Sequence, residues 1–197
     1  MTLNAAGEIR AQIEEGIALR QSVLGDASLL SRVATLAEEI VRALRGGNKI
    51  LLAGNGGSFA DAQHIAAEMI GRFLVERAPL AAVCLGTNGS LVTAVANDYG
   101  YADVFVRELK GLARPGDIFV AISTSGNSEN LAAAVREAEK IGVHAWGFLG
   151  RDGGDIGRLL PQTSLIVPSA STPRVQEAHI TFAHIVCDLV DKHLAAT

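Results

Sequence analysis

The stretch KILLAGNGGSFADAQHIAAEMI, Lys49–Ile70, holds two kinds of structure. Its first part, KILLAG (49–54), is an apolar run too short for a helix and closed by glycine. It reads as a strand covered on both faces. From residue 57 onward, apolar and polar residues recur at helical spacing, and the predicted helix runs over 57–73. Only Asn55 and Gly56 separate the two, so strand, tight turn and helix follow directly, as in the first half of a βαβ unit.

The same alternation continues downstream. LAAVCL (80–85), DIFVAIS (117–123), VHAWGF (143–148) and SLIVP (164–168) are four further apolar runs. Helical patterns fall between and after them, over 88–111, 127–142, 153–160 and 172–194. Upstream, residues 4–24 and 27–46 carry helical spacing, and GGN (46–48) stops the second of these helices. The pattern predicts an α/β fold with a five-stranded parallel sheet, helices on both faces in three layers, and two additional N-terminal helices. With no repeat, low-complexity tract or linker, residues 1–197 read as one domain. The N-terminal helices (1–47) are expected to pack on it or on a neighbouring subunit.

Composition agrees. The hydrophobic fraction is 49% before any of the 21 glycines is counted, and aromatics supply only 5%. A chain this aliphatic has more apolar surface than one small core requires, which points to subunit interfaces. The net charge of −4, with no basic run, argues against a nucleic-acid partner. No window is apolar for long enough to span a membrane, and the N-terminus lacks a signal-peptide pattern. Cys84 and Cys187, each in an apolar run, read as free buried thiols of a cytoplasmic protein.

In a parallel sheet, ligands bind off the carboxyl ends of the strands. Two loops there stand out. AGNGGS (53–58) follows the first strand, and STSGNS (123–128) follows the third. The second offers hydroxyls at Ser123, Thr124, Ser125 and Ser128, with Gly126 permitting close backbone approach, at the start of a helix. That is the chemistry of an anion site. It has no lysine and is not a nucleoside-triphosphate loop, and neither loop has the dinucleotide spacing.

Two helices carry polar residues of another kind. His64 and Glu68 are four apart, on one helical face, and can share a metal or a proton. VQEAHITFAH (175–184) places Gln176, His179 and His184 in an otherwise apolar helix. These three do not form one stripe. His144 and His193 read as a strand start and a C-terminal turn.

Together, GNGGS, DAQH, GRF, NDYG, STSGNS and the Gln-Glu…His pattern of the last helix resemble the sugar-isomerase (SIS) domain. They resemble most closely its bacterial phosphoheptose isomerases, over nearly the whole chain. The resemblance implies an SIS-type sandwich. It implies interconversion of sedoheptulose 7-phosphate and D-glycero-D-manno-heptose 7-phosphate, the first step of heptose nucleotide synthesis for bacterial surface glycans. It implies a homotetramer with active sites at subunit interfaces. Ser123, Thr124, Ser125 and Ser128 would hold the phosphate. Asn55, Gly56, Gly57, Asn97 and Asp98 would line the sugar, with Glu68 and Gln176 also touching substrate. His64, Glu68, Gln176 and His184 would bind one zinc ion per subunit, leaving His179 as a supporting or core residue.

Moving a proton between C1 and C2 through an enediolate needs an acid, a base and stabilisation of the oxyanion. Glu68 and His184 are the groups the sequence offers, and they match the family's catalytic pair. Zinc would polarise the oxygens, although a metal-bound carboxylate is a poorer base. Gln176 and His184 are separated by about 12 Å of rise and roughly 80° around a straight helix. One such helix should not present both to a single tetrahedral ion, so either the helix bends or a neighbouring subunit contributes, and the second is expected. Where some relatives carry an acidic residue just before the glutamine, this chain has Ser171, Thr172 and Pro173. Non-enzymatic relatives, among them a regulator that binds the replication initiator, lack the Glu and His that match Glu68 and His184. The enzyme is therefore the favoured reading over a binding factor or a sugar-phosphate sensor.

Overall fold

A computed structural model describes residues 5–194. Asn4, the predicted start of the first helix, and the outermost residues of the 1–197 domain lie outside that range. Two helices come first, α1 (Ala5–Gly25) and α2 (Ala27–Arg45). Five strands follow: β1 (Ile50–Gly54), β2 (Ala82–Cys84), β3 (Ile118–Ser123), β4 (His144–Gly150) and β5 (Ser164–Val167). Between and after them lie α3 (Gly57–Ile70), α4 (Gly89–Asp98), α5 (Val104–Leu112), α6 (Glu129–Ile141), α7 (Gly154–Leu159) and α8 (Thr172–Leu194). All strand pairings are parallel, in the order β2-β1-β3-β4-β5.

The strands are apolar throughout because both faces are covered. Ile50 and Leu52 join a core under α2, α3 and α8, together with Val120, Trp146 and Phe148. Leu51 and Ala53, one residue out of phase, join the opposite core with Phe119, Leu131 and Val135 under α4, α5 and α6. The helix leaving β1 therefore packs on one face of the sheet and the helix leaving β3 on the other. The chain diverges between these neighbouring strands, which opens a crevice at their carboxyl ends. Both glycine-rich loops stand there.

The helical segment expected over 88–111 consists of two helices. α4 ends at Asp98, Gly100 takes φ +104°, and a 3₁₀ turn over Tyr101–Asp103 precedes α5. A residue in that left-handed region ends a helix, and glycine adopts it without steric cost. The two N-terminal helices also differ. α2 buries Leu29, Val33, Leu36, Ile40 and Val41 in the core, and Asp26 caps it by accepting from the Leu29 amide at 3.0 Å. α1 buries only Gly16, lies against α8 through a hydrogen bond from Arg174 to the Gln12 carbonyl, and leaves Ile9, Ile13 and Ile17 exposed.

Candidate active site

The first loop is fixed by backbone contact. A Cβ on Gly54 would stand 2.4 Å from the Ser58 carbonyl oxygen, and Gly56 has φ +57°. Asn55 is held in a reciprocal amide pair with Asn130, both hydrogen bonds at 3.0 Å, and the Tyr101 hydroxyl donates to its Oδ1 at 2.9 Å. Asn130 is buried in the first turn of α6. Neither Asn130 nor Tyr101 was singled out in the sequence. The signal for Asn130 was a carboxamide on the inward side of an otherwise aliphatic helix start, where a polar group needs a partner.

The second loop turns its hydroxyls inward. Ser123 Oγ is 3.0 Å from Ser128 Oγ and accepts from the Gly126 amide at 3.2 Å. Ser125 Oγ accepts from the Asn127 amide at 3.1 Å. Gly126 has φ +68°, and a Cβ there would lie 2.0 Å from the Gly153 carbonyl oxygen, so glycine is required. Ser128 occupies the N-cap position of α6 without its side chain capping the helix. Its hydroxyl stays with Ser123, beside the positive end of the helix dipole. That combination suits an anion.

Asn97 and Asp98, at the exposed end of α4, bond to each other at 2.9 Å. They adjoin the Tyr101 that reaches Asn55, but no hydrogen bond ties them to either loop. A cavity of about 190 Å³, lined by Asn55, Phe59, Val92, Tyr101 and Phe105, opens beside the first loop. A larger groove of about 440 Å³ runs between α2 and α8, away from the strand ends. Volume alone does not locate the chemistry, and the smaller cavity is the one at the carboxyl end of β1, beside Asn55 and Tyr101.

α3 and α8 pack against each other and form a separate wall that carries the remaining candidates. His64 Nε2 stands 3.4 Å from Glu68 Oε1 and 3.1 Å from His184 Nε2. The His184 ring stacks on Phe73 at 5.4 Å. These three residues, predicted from separate helices, are therefore gathered within one chain. Gln176 is not with them. Its amide lies against Gly57, where a Cβ would meet Nε2 at 2.2 Å. The pairings Gly57–Gln176 and His64–His184 advance together, so α3 and α8 run in the same direction. α8 is one continuous helix, and its two ligand candidates remain separated as their spacing requires.

Asp61, one turn before His64, has a buried Oδ2 without a hydrogen-bond partner. Burial raises its pKa, and the nearby His64 opposes the rise. His179 belongs to the core. Its Nε2 donates to the Leu149 carbonyl at 3.0 Å, its Nδ1 has no partner, and burial lowers its pKa to about 4. His144 pairs with Glu39, and His193 donates to the Leu189 carbonyl in the last turn of α8. Both cysteines are free and buried, with thiols pushed up to about 12, mainly by burial.

Donor chemistry and spacing can be tested against a metal. Tetrahedral zinc with bonds of about 2.0–2.2 Å keeps its donors roughly 3.3–3.5 Å apart. The contacts of His64 with His184 and Glu68 are close to that. Among the described residues, however, no three His, Cys, Asp or Glu side chains close around a common point. His64 is the member that contacts both others, and Gln176, the fourth candidate donor, lies against Gly57 instead.

A sequence profile of the SIS domain matches residues 20–150. Phosphoheptose isomerase from Geobacter sulfurreducens is 50% identical over 187 residues, covering 95% of this chain and 97% of that protein. The chain belongs to the phosphoheptose isomerase family. Solved structures agree. The phosphoheptose isomerase of Neisseria gonorrhoeae superposes with a TM-score of 0.89 at 41% identity, over 95% of this chain and 98% of the other. That of Francisella tularensis gives 0.91 at 31% identity, over 96% and 100%. The family's three-layer sandwich is the fold found here.

Proposed function

We propose that the protein interconverts sedoheptulose 7-phosphate and D-glycero-D-manno-heptose 7-phosphate, as an aldose–ketose isomerase of the bacterial cytoplasm. The observation that carries this reading is the contact of His64 with both Glu68 and His184 on the α3/α8 wall, in a chain that also carries a lysine-free hydroxyl loop at the end of β3. Ser123, Thr124, Ser125 and Ser128 bind the phosphate dianion with hydroxyls and the free amides of α6. Asn55, locked by Asn130 and Tyr101, orients a substrate hydroxyl together with the Gly56–Gly57 backbone, Asn97, Asp98 and Gln176. Glu68 and His184 move the proton between C1 and C2, one as base and the other as acid on the oxygen. His64, Glu68 and His184, completed by a Gln176, would hold zinc, which when bound supplies Lewis-acid polarisation of the carbonyl oxygen. A non-enzymatic binding factor has no use for such a trio at the strand ends.

Two features support assembly as a homotetramer with shared sites. The cavity beside Asn55 is smaller than the roughly 300–1,000 Å³ of a complete small-molecule site. α1 also leaves a row of isoleucines in solvent. Because Glu68 and His184 converge within one chain, Gln176 is the residue to come from a neighbour. Among the described residues no helix is long and apolar enough to cross a membrane.

The test is to incubate purified protein with sedoheptulose 7-phosphate and follow aldose formation by anomeric-proton NMR. Aldose is the expected product, and its absence from folded protein with and without added zinc rejects the assignment. Sharing is tested by unfolding Gln176→Ala and His184→Gln subunits together and reassembling them. Recovery of part of the activity is expected, and no recovery in verified mixed oligomers places all four residues in one chain.

A further inference from the structure

α3 and α8 meet at a second point, beyond the imidazoles. Arg77 lies in the segment after α3, and its side chain is 3% exposed. Its Nη2 donates to the Glu68 carbonyl at 3.0 Å, and its Nη1 donates to the carbonyls of Met69 at 2.9 Å and Ala78 at 3.2 Å. Its Nε donates to Asp191 Oδ1 at 2.6 Å, and Asp191 is fully buried. The other carboxylate oxygen of Asp191 accepts from the amides of Leu74 and Val75 at 3.2 and 3.3 Å.

Two of the carbonyls that Arg77 takes, those of Glu68 and Met69, belong to the last turn of α3, where no intrahelical amide remains for them. A cation there also opposes the negative end of the helix dipole. One of these carbonyls is that of Glu68 itself. Asp191 is seven residues after His184, two turns along the same face of α8. Cys187, between them, is 1% exposed. Its thiol is pushed up by burial first and then by the charges of Glu68 and Asp191, so this face of α8 looks toward the end of α3.

We propose that the buried Arg77–Asp191 pair is a positioning element that sets the register of α3 against α8, and with it the approach of Glu68 and His184. The two helices have 23 and 14 residues and touch through small apolar side chains such as Ala62, Ala66, Ala183 and Val186, which permit sliding. A guanidinium bonded to both ends removes that freedom, because its planar fork fixes direction as well as distance. The role rests on the isomerase reading for its catalytic consequence and on the geometry alone for its structural one.

Two variants test it. Arg77→Lys keeps the charge and so leaves Asp191 paired, but an ammonium cannot bridge a carboxylate and two carbonyls in one plane. Arg77→Met with Asp191→Leu removes both charges and leaves neither uncompensated, a change that buried pairs often tolerate. In each folded variant kcat is expected to fall about 10- to 100-fold, the scale of a misplacement near 1 Å. KM should stay within about twofold, because the phosphate loop is untouched. Histidine-labelled, metal-free protein should show the His64 and His184 ring resonances shifted. A lowered Tm with kcat and ring resonances at wild-type values would assign the pair to stability alone and overturn the proposal, as would failure of both variants to fold. If the wild-type protein shows no isomerase activity, the isomerase reading fails separately. The resonances then decide: shifted rings support the positioning role, and unshifted rings reject it.

Discussion

The hydroxyl loop proposed to hold phosphate and the α3/α8 wall make an instructive contrast. Ser123–Ser128 is a site built from six consecutive residues, on a strand end and a helix start whose direction the sheet imposes. The wall brings together His64 and His184, 120 positions apart, at 3.1 Å. In the loop, geometry follows from backbone conformation, and glycine at 126 is enough to permit it. On the wall, geometry depends on how one helix is seated on another, so distant residues such as Arg77 and Asp191 enter. In the proposed reading the local site binds, so its loss should appear in KM, and the assembled site does the chemistry, so its loss should appear in kcat.

The largest effect expected is on the wall. Glu68→Gln or His184→Gln should each lower kcat by a factor of about 100 or more, with KM changed little, the usual scale for losing an acid or base. Steady-state kinetics on folded variants checks this. Wild-type turnover in both would remove the distinction drawn here.

The next concerns what seats α8 on the sheet. His179 is neutral in the fold because burial holds its pKa near 4 against an ordinary 6.5. Below pH 6.5 the unfolded chain takes up a proton that the folded chain refuses. Stability is therefore full above about 6.5 and declines as pH falls toward 4, by about 2 kcal/mol between pH 7.5 and 5. Urea unfolding at the two values should show this loss in the wild type. His179→Phe should flatten the dependence, and an equal slope in both proteins would assign the loss to other groups.

The smallest effect should fall on the loop. Ser123→Ala with Thr124→Ala removes two hydroxyls while the α6 amides remain. KM should rise roughly tenfold, in the range for losing hydrogen bonds to a charged group, with kcat nearly kept. Competitive inhibition by inorganic phosphate should weaken in parallel. A fall in kcat at constant KM would mean that the loop, too, takes part in the chemistry.

These regions were not equally legible in the sequence. The strand–turn–helix of Lys49–Ile70 and the run of hydroxyls at 123–128 could be read directly, because backbone preference and hydrophobic period act over a few residues. The spacing of Gln176 and His184 argued against a common ion on one straight helix, and in the structure Gln176 lies against Gly57 while His184 meets His64. What only the tertiary structure decided is longer in range. It showed that His64 meets both Glu68 and His184 within one chain and that Asn55 is locked by Asn130. It showed that Gly100 splits the 88–111 segment, and that Arg77 closes the end of α3 onto Asp191. The sequence by itself determined the elements, their order and the hydroxyl-rich turn after β3, since each follows from neighbours along the chain. The seating of α3 on α8 had to come from the fold, because it is set by packing on one face of the sheet and by buried hydrogen bonds between residues more than a hundred positions apart.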